Sequence, residues 1–205
     1  MTIPRRRLRL LAVLALVPLL TACGSPPWEQ DAASDASSGV SASPTSTPPP
    51  TPTAVENDLA KGSVERELTA GGVDLEVTYF STLSMARWTP QATKPLSLGV
   101  SGSFADGSKQ DIFLSTVTAN IDVQGAEGPL AAPEPLTDQA DVAPGYLIKS
   151  PSSYSQVFTL PALPPAARAV TLNLTYELLA QSAPKSKTYL KQSASDTLVI
   201  ALTQA

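Results

Sequence analysis

Histidine is absent from this chain of 205 residues, and cysteine occurs once. Without histidine the commonest general base is missing, and so are the Ser-His and Cys-His nucleophile pairs and the usual nitrogen ligands of zinc and copper. A single cysteine cannot form an internal disulfide. We therefore expect no metal site, no cofactor site and no catalytic residues of the common types.

Positive charge is scarce as well. The chain has 14 Lys and Arg against 18 Asp and Glu, a net charge of -4. Four of the basic residues are arginines within the first ten positions, so the chain after residue 22 carries a net charge of -8. A charge of this sign argues against a nucleic-acid partner and against electrostatic adhesion to anionic lipid.

The first 22 residues have the three parts of a secretory signal peptide. Four arginines are followed by an apolar run at residues 10–20 and then by small residues. The run is shorter than the roughly 20 residues that span a bilayer, and Pro18 interrupts it, so a permanent transmembrane helix is disfavoured. We expect residues 1–22 to direct export and to be removed.

The sequence Leu20-Thr21-Ala22-Cys23 resembles the lipobox of bacterial lipoproteins. In that family the cysteine thiol receives a diacylglyceryl group, a dedicated signal peptidase cuts before the cysteine, and the new amino group is often acylated. The resemblance implies cleavage between Ala22 and Cys23, lipidation of Cys23, and a location on the extracytoplasmic face of a bacterial cell membrane. Two acyl chains anchor a protein stably, whereas one holds it marginally. The alternative is an incidental free cysteine.

Residues 23–58 are predicted to form a disordered linker that begins at the lipidated cysteine. The stretch 24–54 is rich in Ser, Thr and Pro and offers few apolar residues for a core, so burial cannot offset the entropy lost on ordering. As a flexible coil it would reach roughly 30 Å. The linker would hold the next domain away from the membrane, either as an O-glycosylated stalk or as a bare tether.

Residues 59–205 show the period-two alternation of β-strands, and no run has the apolar spacing of a helix of about ten residues or more. The segments 72–80 and 169–179 alternate most regularly, and the run at 111–125 is long enough to need a bulge or bend. About seven to nine such strands indicate a sandwich or barrel. Because one face of each strand is polar, the sheets should be antiparallel. We predict an all-β, immunoglobulin-like antiparallel β-sandwich without the paired cysteines of antibody domains.

Two local patterns resemble catalytic or metal-binding motifs, and we interpret both as turns. Ser182 and Lys185 match the Ser-x-x-Lys spacing of penicillin-binding enzymes, but Pro184 lies between them in a predicted loop. Residues 106–111 offer carboxylate oxygens to calcium, but a lysine stands in the middle of the segment. We predict a hairpin turn there, because its Asp-Gly pair is typical of hairpins.

A predicted loop at residues 129–144 is the best candidate for a recognition surface. Glu134, Asp138 and Asp141 make it acidic, and four prolines stiffen it. Loops longer than about 12–15 residues are often functional or disordered. A solvated loop without a role is the alternative.

Trp88 lies in another predicted connection, between two strand patterns. Its ring would either fold back and close the end of the sandwich or stand exposed as an anchor for a partner or a sugar. The buried position is favoured because aromatic residues make up 5% of the chain. Met85, three residues earlier, suggests one turn of helix. Trp88 joins the three acidic residues of the loop as a candidate recognition residue.

These features predict a membrane-anchored extracytoplasmic lipoprotein whose β-sandwich is a non-catalytic binding or scaffolding module of the cell envelope. Its partner would be a cell-envelope protein or a wall polymer. The alternative is an enzyme that acts on cell-wall glycan through a carboxylate pair. Such a pair requires two Asp or Glu side chains about 5–9.5 Å apart in a cleft, and the sequence does not place one.

Overall fold

The computed structural model describes residues 55–204. They form ten β-strands and a single turn of 3-10 helix. The elements in chain order are β1 (Ser63–Ala70), β2 (Val73–Phe80), the 3-10 helix (Met85–Arg87), β3 (Lys94–Phe104), β4 (Ile112–Gly125), β5 (Pro129–Leu130), β6 (Leu136–Gln139), β7 (Tyr146–Leu147), β8 (Tyr154–Leu160), β9 (Ala167–Gln181) and β10 (Tyr189–Ala201).

The strands form two antiparallel sheets, the arrangement of a β-sandwich. The four-stranded sheet has the order β1-β2-β3-β8. In the six-stranded sheet, β10, β9 and β4 lie side by side, and the short strands β5, β6 and β7 pair in turn with the far edge of β4. The prediction of an all-β antiparallel fold is confirmed.

Alternation along the strands decides which side chains form the core between the sheets. On β2, Val73, Leu75 and Val77 are each 1% exposed, whereas Asp74 and Glu76 point to solvent. The same alternation buries five side chains of β9: Val170, Leu172, Leu174, Tyr176 and Leu178. Burying a Val or Leu side chain contributes about 1.5–3 kcal/mol, so these two strands carry a large part of the core energy.

β4 and β9, the two longest strands, pair along nearly their whole length at the centre of the six-stranded sheet. The register shifts between Leu114 and Thr116, which leaves Ser115 as the additional residue of a β-bulge. The Ser115 hydroxyl donates to the Glu177 carbonyl oxygen at 3.0 Å and so satisfies a polar group beside the bulge. The bulge predicted for residues 111–125 is confirmed, and it gives a strand of this length additional twist.

A two-residue turn, Gly71-Gly72, joins β1 to β2, with Ala70 paired to Val73. Gly71 has φ of 62°, in the left-handed region that glycine adopts without steric cost and that tight hairpin turns require. β1 and β2 therefore form a β-hairpin.

The hairpin predicted at Asp106-Gly107 is wrong. The chain does turn there, and the Gly107 N–H donates to the Phe104 carbonyl oxygen at 2.9 Å. However, β3 and β4, which flank the turn, belong to different sheets. An Asp-Gly pair specifies a local reversal of the chain, but the sheet that each flanking strand joins depends on its distant partners.

Candidate functional site

Cys23 and Ala22, the predicted lipidation and cleavage residues, lie outside the described residues, as does most of the predicted linker. Among residues 55–204, no helix has the length and hydrophobicity needed to cross a bilayer. The candidate sites that can be located in the fold are therefore those of the sandwich itself.

Trp88 is a core residue and not part of a recognition surface. Its side chain is fully buried directly after the 3-10 helix Met85–Arg87, so the suggested helical turn is present. The indole N–H donates to the Ser81 hydroxyl at 3.2 Å, and the Trp88 carbonyl oxygen accepts from the Thr203 N–H at 2.9 Å. With its ring buried and its polar atoms bonded, Trp88 presents nothing to a partner.

The segment 129–144, expected to be a loop, contains strands β5 and β6. Leu136–Gln139 pairs with Thr116–Ala119 along the edge of β4. The exposed backbone groups of a long edge favour such pairing, and the prolines of the segment keep the new strands short. Glu134 and Asp141 are exposed, while Asp138 is half-buried within β6. The three acidic residues therefore have different environments.

Asp138 is held against the four-stranded sheet by a hydrogen bond. The Tyr154 hydroxyl on β8 donates to its Oδ2 at 2.5 Å. The Tyr154 ring stacks on Tyr146 of β7, with ring centroids 5.2 Å apart and planes at 25°. Burial, together with the hydrogen bond to Asp138, raises the pKa of Tyr154 above its ordinary value, so its hydroxyl remains a neutral donor. This contact joins the two sheets at one side of the sandwich.

A recess of about 560 Å³ opens beside this contact. We call it the β7–β8 recess, and its lining includes Asp138, Val142, Tyr146, Leu147, Tyr154 and Gln156. Val142 and Leu147 are 54% and 41% exposed. Within the described part of the chain, no lysine or arginine lines it. The recess thus combines exposed apolar side chains, two stacked aromatic rings and one carboxylate.

Gly145 allows the chain to pass close under this recess. Its φ is 155°, and a Cβ atom at this position would lie 2.5 Å from the Leu114 carbonyl oxygen. Only glycine tolerates both this conformation and this approach. The close passage lets β7 pair with Phe113 and Leu114 of β4, which places Tyr146 and Leu147 in the lining.

Glu67 and Glu76 form the most evident carboxylate pair of the sandwich. They stand directly opposite each other across β1 and β2 and line a shallow groove of about 370 Å³. Both side chains are exposed on the outer face of the sheet. A glycan-cleaving pair needs a cleft, and its acid is usually protonated because of an apolar environment. Glu67 and Glu76 lie in a shallow groove and face solvent, and not in an apolar cleft.

The two motif-like segments are turns, as interpreted from the sequence. The Ser182 hydroxyl lies 3.1 Å from the Ser186 hydroxyl, and Lys185 adopts φ of 63° in the connection between β9 and β10. Hydrogen bonds from the Ser108 side chain and from the Ser108 N–H, the latter at 2.9 Å, lower the pKa of the Asp106 carboxyl. Within residues 55–204, no cluster of three or more His, Cys, Asp or Glu side chains is arranged to hold a metal ion.

Sequence reasoning missed a polar network on the opposite side of the sandwich. The Tyr79 hydroxyl donates to Asp196 Oδ2 at 2.9 Å and lies 2.8 Å from the Tyr176 hydroxyl. Burial raises the pKa of both tyrosines above their ordinary values. The sequence held one indication of this network, because a tyrosine at an inward-facing strand position needs a hydrogen-bond partner for its hydroxyl.

No family model matches this chain, and no curated protein matches it either. Its function must therefore be argued from the chemistry of its own surface and not from its fold.

Proposed function

We propose that the protein is a bacterial lipoprotein, anchored through acyl chains on Cys23 to the extracytoplasmic face of the cell membrane. Its sandwich is a non-catalytic binding module of the cell envelope. The anchor is supported by the lipobox at residues 20–23, which follows a basic and then an apolar segment. The predicted linker of residues 23–58 would let the module reach partners beyond the membrane surface. Its last residue, Asp58, is bonded to Val199 and Arg66 and so belongs to the sandwich.

The β7–β8 recess carries the proposal of a binding module. Exposed apolar side chains rimmed by polar groups mark interaction sites on soluble domains. Val142 and Leu147 supply the apolar surface, and half-buried Tyr146, of a residue type enriched at binding hot spots, is supported by stacking on buried Tyr154. Asp138 is already fixed by Tyr154, so a partner would not have to pay the entropy of ordering it.

We also propose that the sandwich is of the immunoglobulin-like type. The neighbours β2-β3-β8 correspond in order to strands A-B-E of that fold, and β4-β9-β10 correspond to strands C-F-G. The chain passes from one sheet to the other between β3 and β4 and between β8 and β9. In the immunoglobulin fold the corresponding passages lie between strands B and C and between strands E and F. It differs from antibody domains in having its buried Trp88 between β2 and β3.

Crosslinking in intact cells tests the proposed recognition role. A photoreactive amino acid at Leu147, in the recess, should capture a cell-envelope component. The matched control is Leu190 on β10, which is 54% exposed and lies outside the recess lining. A product found at position 147 and missing at 190 supports the proposal. No product at 147, or the same products at both positions, contradicts it.

A further inference from the structure

Strand β8 forms one edge of the four-stranded sheet, and among residues 55–204 no strand pairs with its other side. Its register with β3 sets Pro95 opposite Thr159. Proline has no N–H, so Pro95 and Thr159 form a non-hydrogen-bonded pair. In an antiparallel ladder such pairs alternate with hydrogen-bonded ones, so the backbone N–H and C=O groups of Ser155, Val157 and Thr159 point away from β3. β8 therefore presents three residues of outward-facing backbone.

The Val157 amide shows this direction independently. Its N–H donates to Oε1 of the neighbouring Gln156 at 3.0 Å and not to β3. The Val157 side chain is itself 53% exposed. A side-chain amide thus occupies the position at which the carbonyl group of a further strand would bond.

The composition of β8 is unusual for an edge strand. Its sequence, YSQVFTL, contains no charged residue, no proline and no glycine. Sheet edges are generally protected by charges, prolines or bulges, because an unprotected edge recruits other strands. In the immunoglobulin-like arrangement proposed above, a strand D pairs with strand E, the counterpart of β8. The described residues supply no such strand.

We propose that β8 is a docking edge for an extended segment of a protein partner, which adds to the four-stranded sheet as a further strand. The inference rests on the proposed binding function and specifies how binding occurs. The segment exchanges backbone hydrogen bonds with Ser155, Val157 and Thr159 and displaces the Gln156 amide. At the Ser155 end, its side chains reach the β7–β8 recess, whose lining includes Ser155 and Gln156.

Charge complementarity indicates the chemistry of that segment. Asp138 lines the recess, Asp141 is exposed directly before Val142, and no cationic side chain lies among the lining residues. Tyr146 and Leu147 offer apolar contact beside these carboxylates. The partner segment therefore alternates basic residues with β-branched apolar ones, which also favour the extended conformation.

A synthetic peptide of about ten residues, alternating lysine and valine, serves as the probe for strand addition to the full chain. Fluorescence anisotropy of the labelled peptide should report saturable binding. Two further peptides carry backbone N-methyl groups on either all valines or all lysines. Residues that share a face of a strand also direct their N–H groups to the same edge, so all valine N–H groups point to one edge of the peptide and all lysine N–H groups to the other. Methylation on the edge that faces β8 should weaken binding at least about tenfold, whereas methylation on the other edge should leave the affinity unchanged. Equal affinities for all three would overturn strand addition.

Variants of the edge test the same contact from the protein side. Val157→Pro removes an N–H that makes no bond to β3, so the sheet is retained and peptide affinity should fall about tenfold. The matched control Val157→Thr keeps the N–H and should bind like the wild type. Gln156→Ala frees the Val157 amide and should strengthen binding a few-fold, roughly the value of one exchanged hydrogen bond. Unchanged or weaker binding by Gln156→Ala would contradict the displacement step.

Strand addition to β8 and the binding function of the sandwich can be tested separately. If the photoreactive amino acid at position 147 still captures its partner in cells carrying Val157→Pro, strand addition is wrong and the binding function stands. If Val157→Pro abolishes capture and Val157→Thr does not, strand addition is supported. If the wild-type chain captures nothing, the binding function itself is wrong. A wild-type dimer that Val157→Pro dissociates would assign the edge to a second copy of this chain and overturn the choice of a foreign segment.

Discussion

At two sides of the sandwich, an edge of one sheet approaches an edge of the other. The two sides differ in the contacts that join the sheets there. On the side of β1 and β10, the Asp58 N–H donates to the Val199 carbonyl oxygen at 2.9 Å, and Asp58 Oδ2 accepts the Val199 N–H at 2.7 Å. Arg66 pairs with Asp58 at 2.6 Å and lies 3.9 Å from Asp196, which accepts from Tyr79. This side is closed by a continuous polar network.

On the side of β8 and β7, Tyr154 and Asp138 join the two sheets, and Gly102 of β3 exchanges backbone hydrogen bonds of 2.8 and 3.0 Å with Ile148 and Ser150, which follow β7. The β7–β8 recess lies open beside the Tyr154–Asp138 contact. On β8, the outward-facing Val157 N–H donates to the Gln156 side chain of the same strand. Binding surfaces tend to come from the less consolidated parts of a structure. One side is thus closed by a polar network, whereas the other keeps an open recess, the site proposed above for a partner.

The largest effect should come from alkaline pH, which acts on buried tyrosines of both sides. Tyr79 and Tyr176 on the closed side and Tyr154 on the open side all have pKa values raised by burial. Below the ordinary tyrosine pKa of about 10, folded and unfolded chains are equally protonated at these groups and their stabilisation is fully present. Above it the unfolded chain loses protons first, so the free energy of unfolding should fall by up to about 1.4 kcal/mol per pH unit for each tyrosine.

Urea unfolding between pH 8 and 11.5 measures this loss, and the two sides can be separated by substitution. Tyr79→Phe removes one member of the closed network and Tyr154→Phe removes the tyrosine of the open side. Each variant should show a shallower decline above pH 10, because one fewer buried hydroxyl is protected from ionisation. A free energy of unfolding independent of pH up to 11.5 would show that these tyrosines titrate normally in the folded chain.

Removing one carboxylate from each side provides a direct comparison of stability. Asp196→Ala removes the carboxylate acceptor of the buried Tyr79 hydroxyl and the more distant of the two anions near Arg66, and we expect a cost of about 2 kcal/mol. Asp138→Ala should cost about 1 kcal/mol, because the site of the Tyr154 hydroxyl borders the open recess and water can replace the acceptor. If urea unfolding shows equal losses of unfolding free energy for the two variants, the carboxylate contacts of the open side stabilise the fold as much as those of the closed side.

Gly145→Ala should show that the open side nevertheless has a defined shape. The added Cβ would meet the Leu114 carbonyl oxygen at 2.5 Å, and the backbone φ of 155° is unfavourable for alanine, so we expect about 2 kcal/mol of destabilisation. Gly107→Ala is the matched control, since Gly107 also has positive φ, 73°, but open space around it. That variant should lose only about 1 kcal/mol. If both lose the same amount, the close approach to Leu114 contributes nothing.

The smallest effect on the fold should come from the anchor. Cys23→Ser is expected to leave the unfolding of the sandwich unchanged, because the predicted linker separates the two. The chain should then move from the detergent phase to the aqueous phase on phase partitioning, since the acyl chains supply the membrane affinity. Wild-type protein found unlipidated in the aqueous phase would show that the lipobox is not used.

The period-two alternation alone determined the all-β class, the inward residues of β2 and β9 and the need for a bulge in β4. These features are local, because side chains on alternate sides of a strand follow from backbone geometry and do not depend on distant partners. The scarcity of aromatic residues likewise favoured a buried Trp88. The sequence was informative wherever one segment by itself decides the outcome.

Only the tertiary structure decided which strands share a sheet, and with them the candidate site. Three features depend on contacts between residues distant in the chain. β3 and β4 belong to different sheets, a proline-rich segment pairs with β4, and Tyr154 bonds to Asp138. Lys94 is a mixed case: its fully buried Nζ lies within hydrogen-bond distance of four carbonyl oxygens, of which those of Thr89, Pro90 and Ala92 are nearby in the chain and that of Pro161 is distant. A polar residue on an alternating strand looks solvent-facing until its hydrogen-bond partners are known, because burial of a charge is tolerated only where such partners surround it.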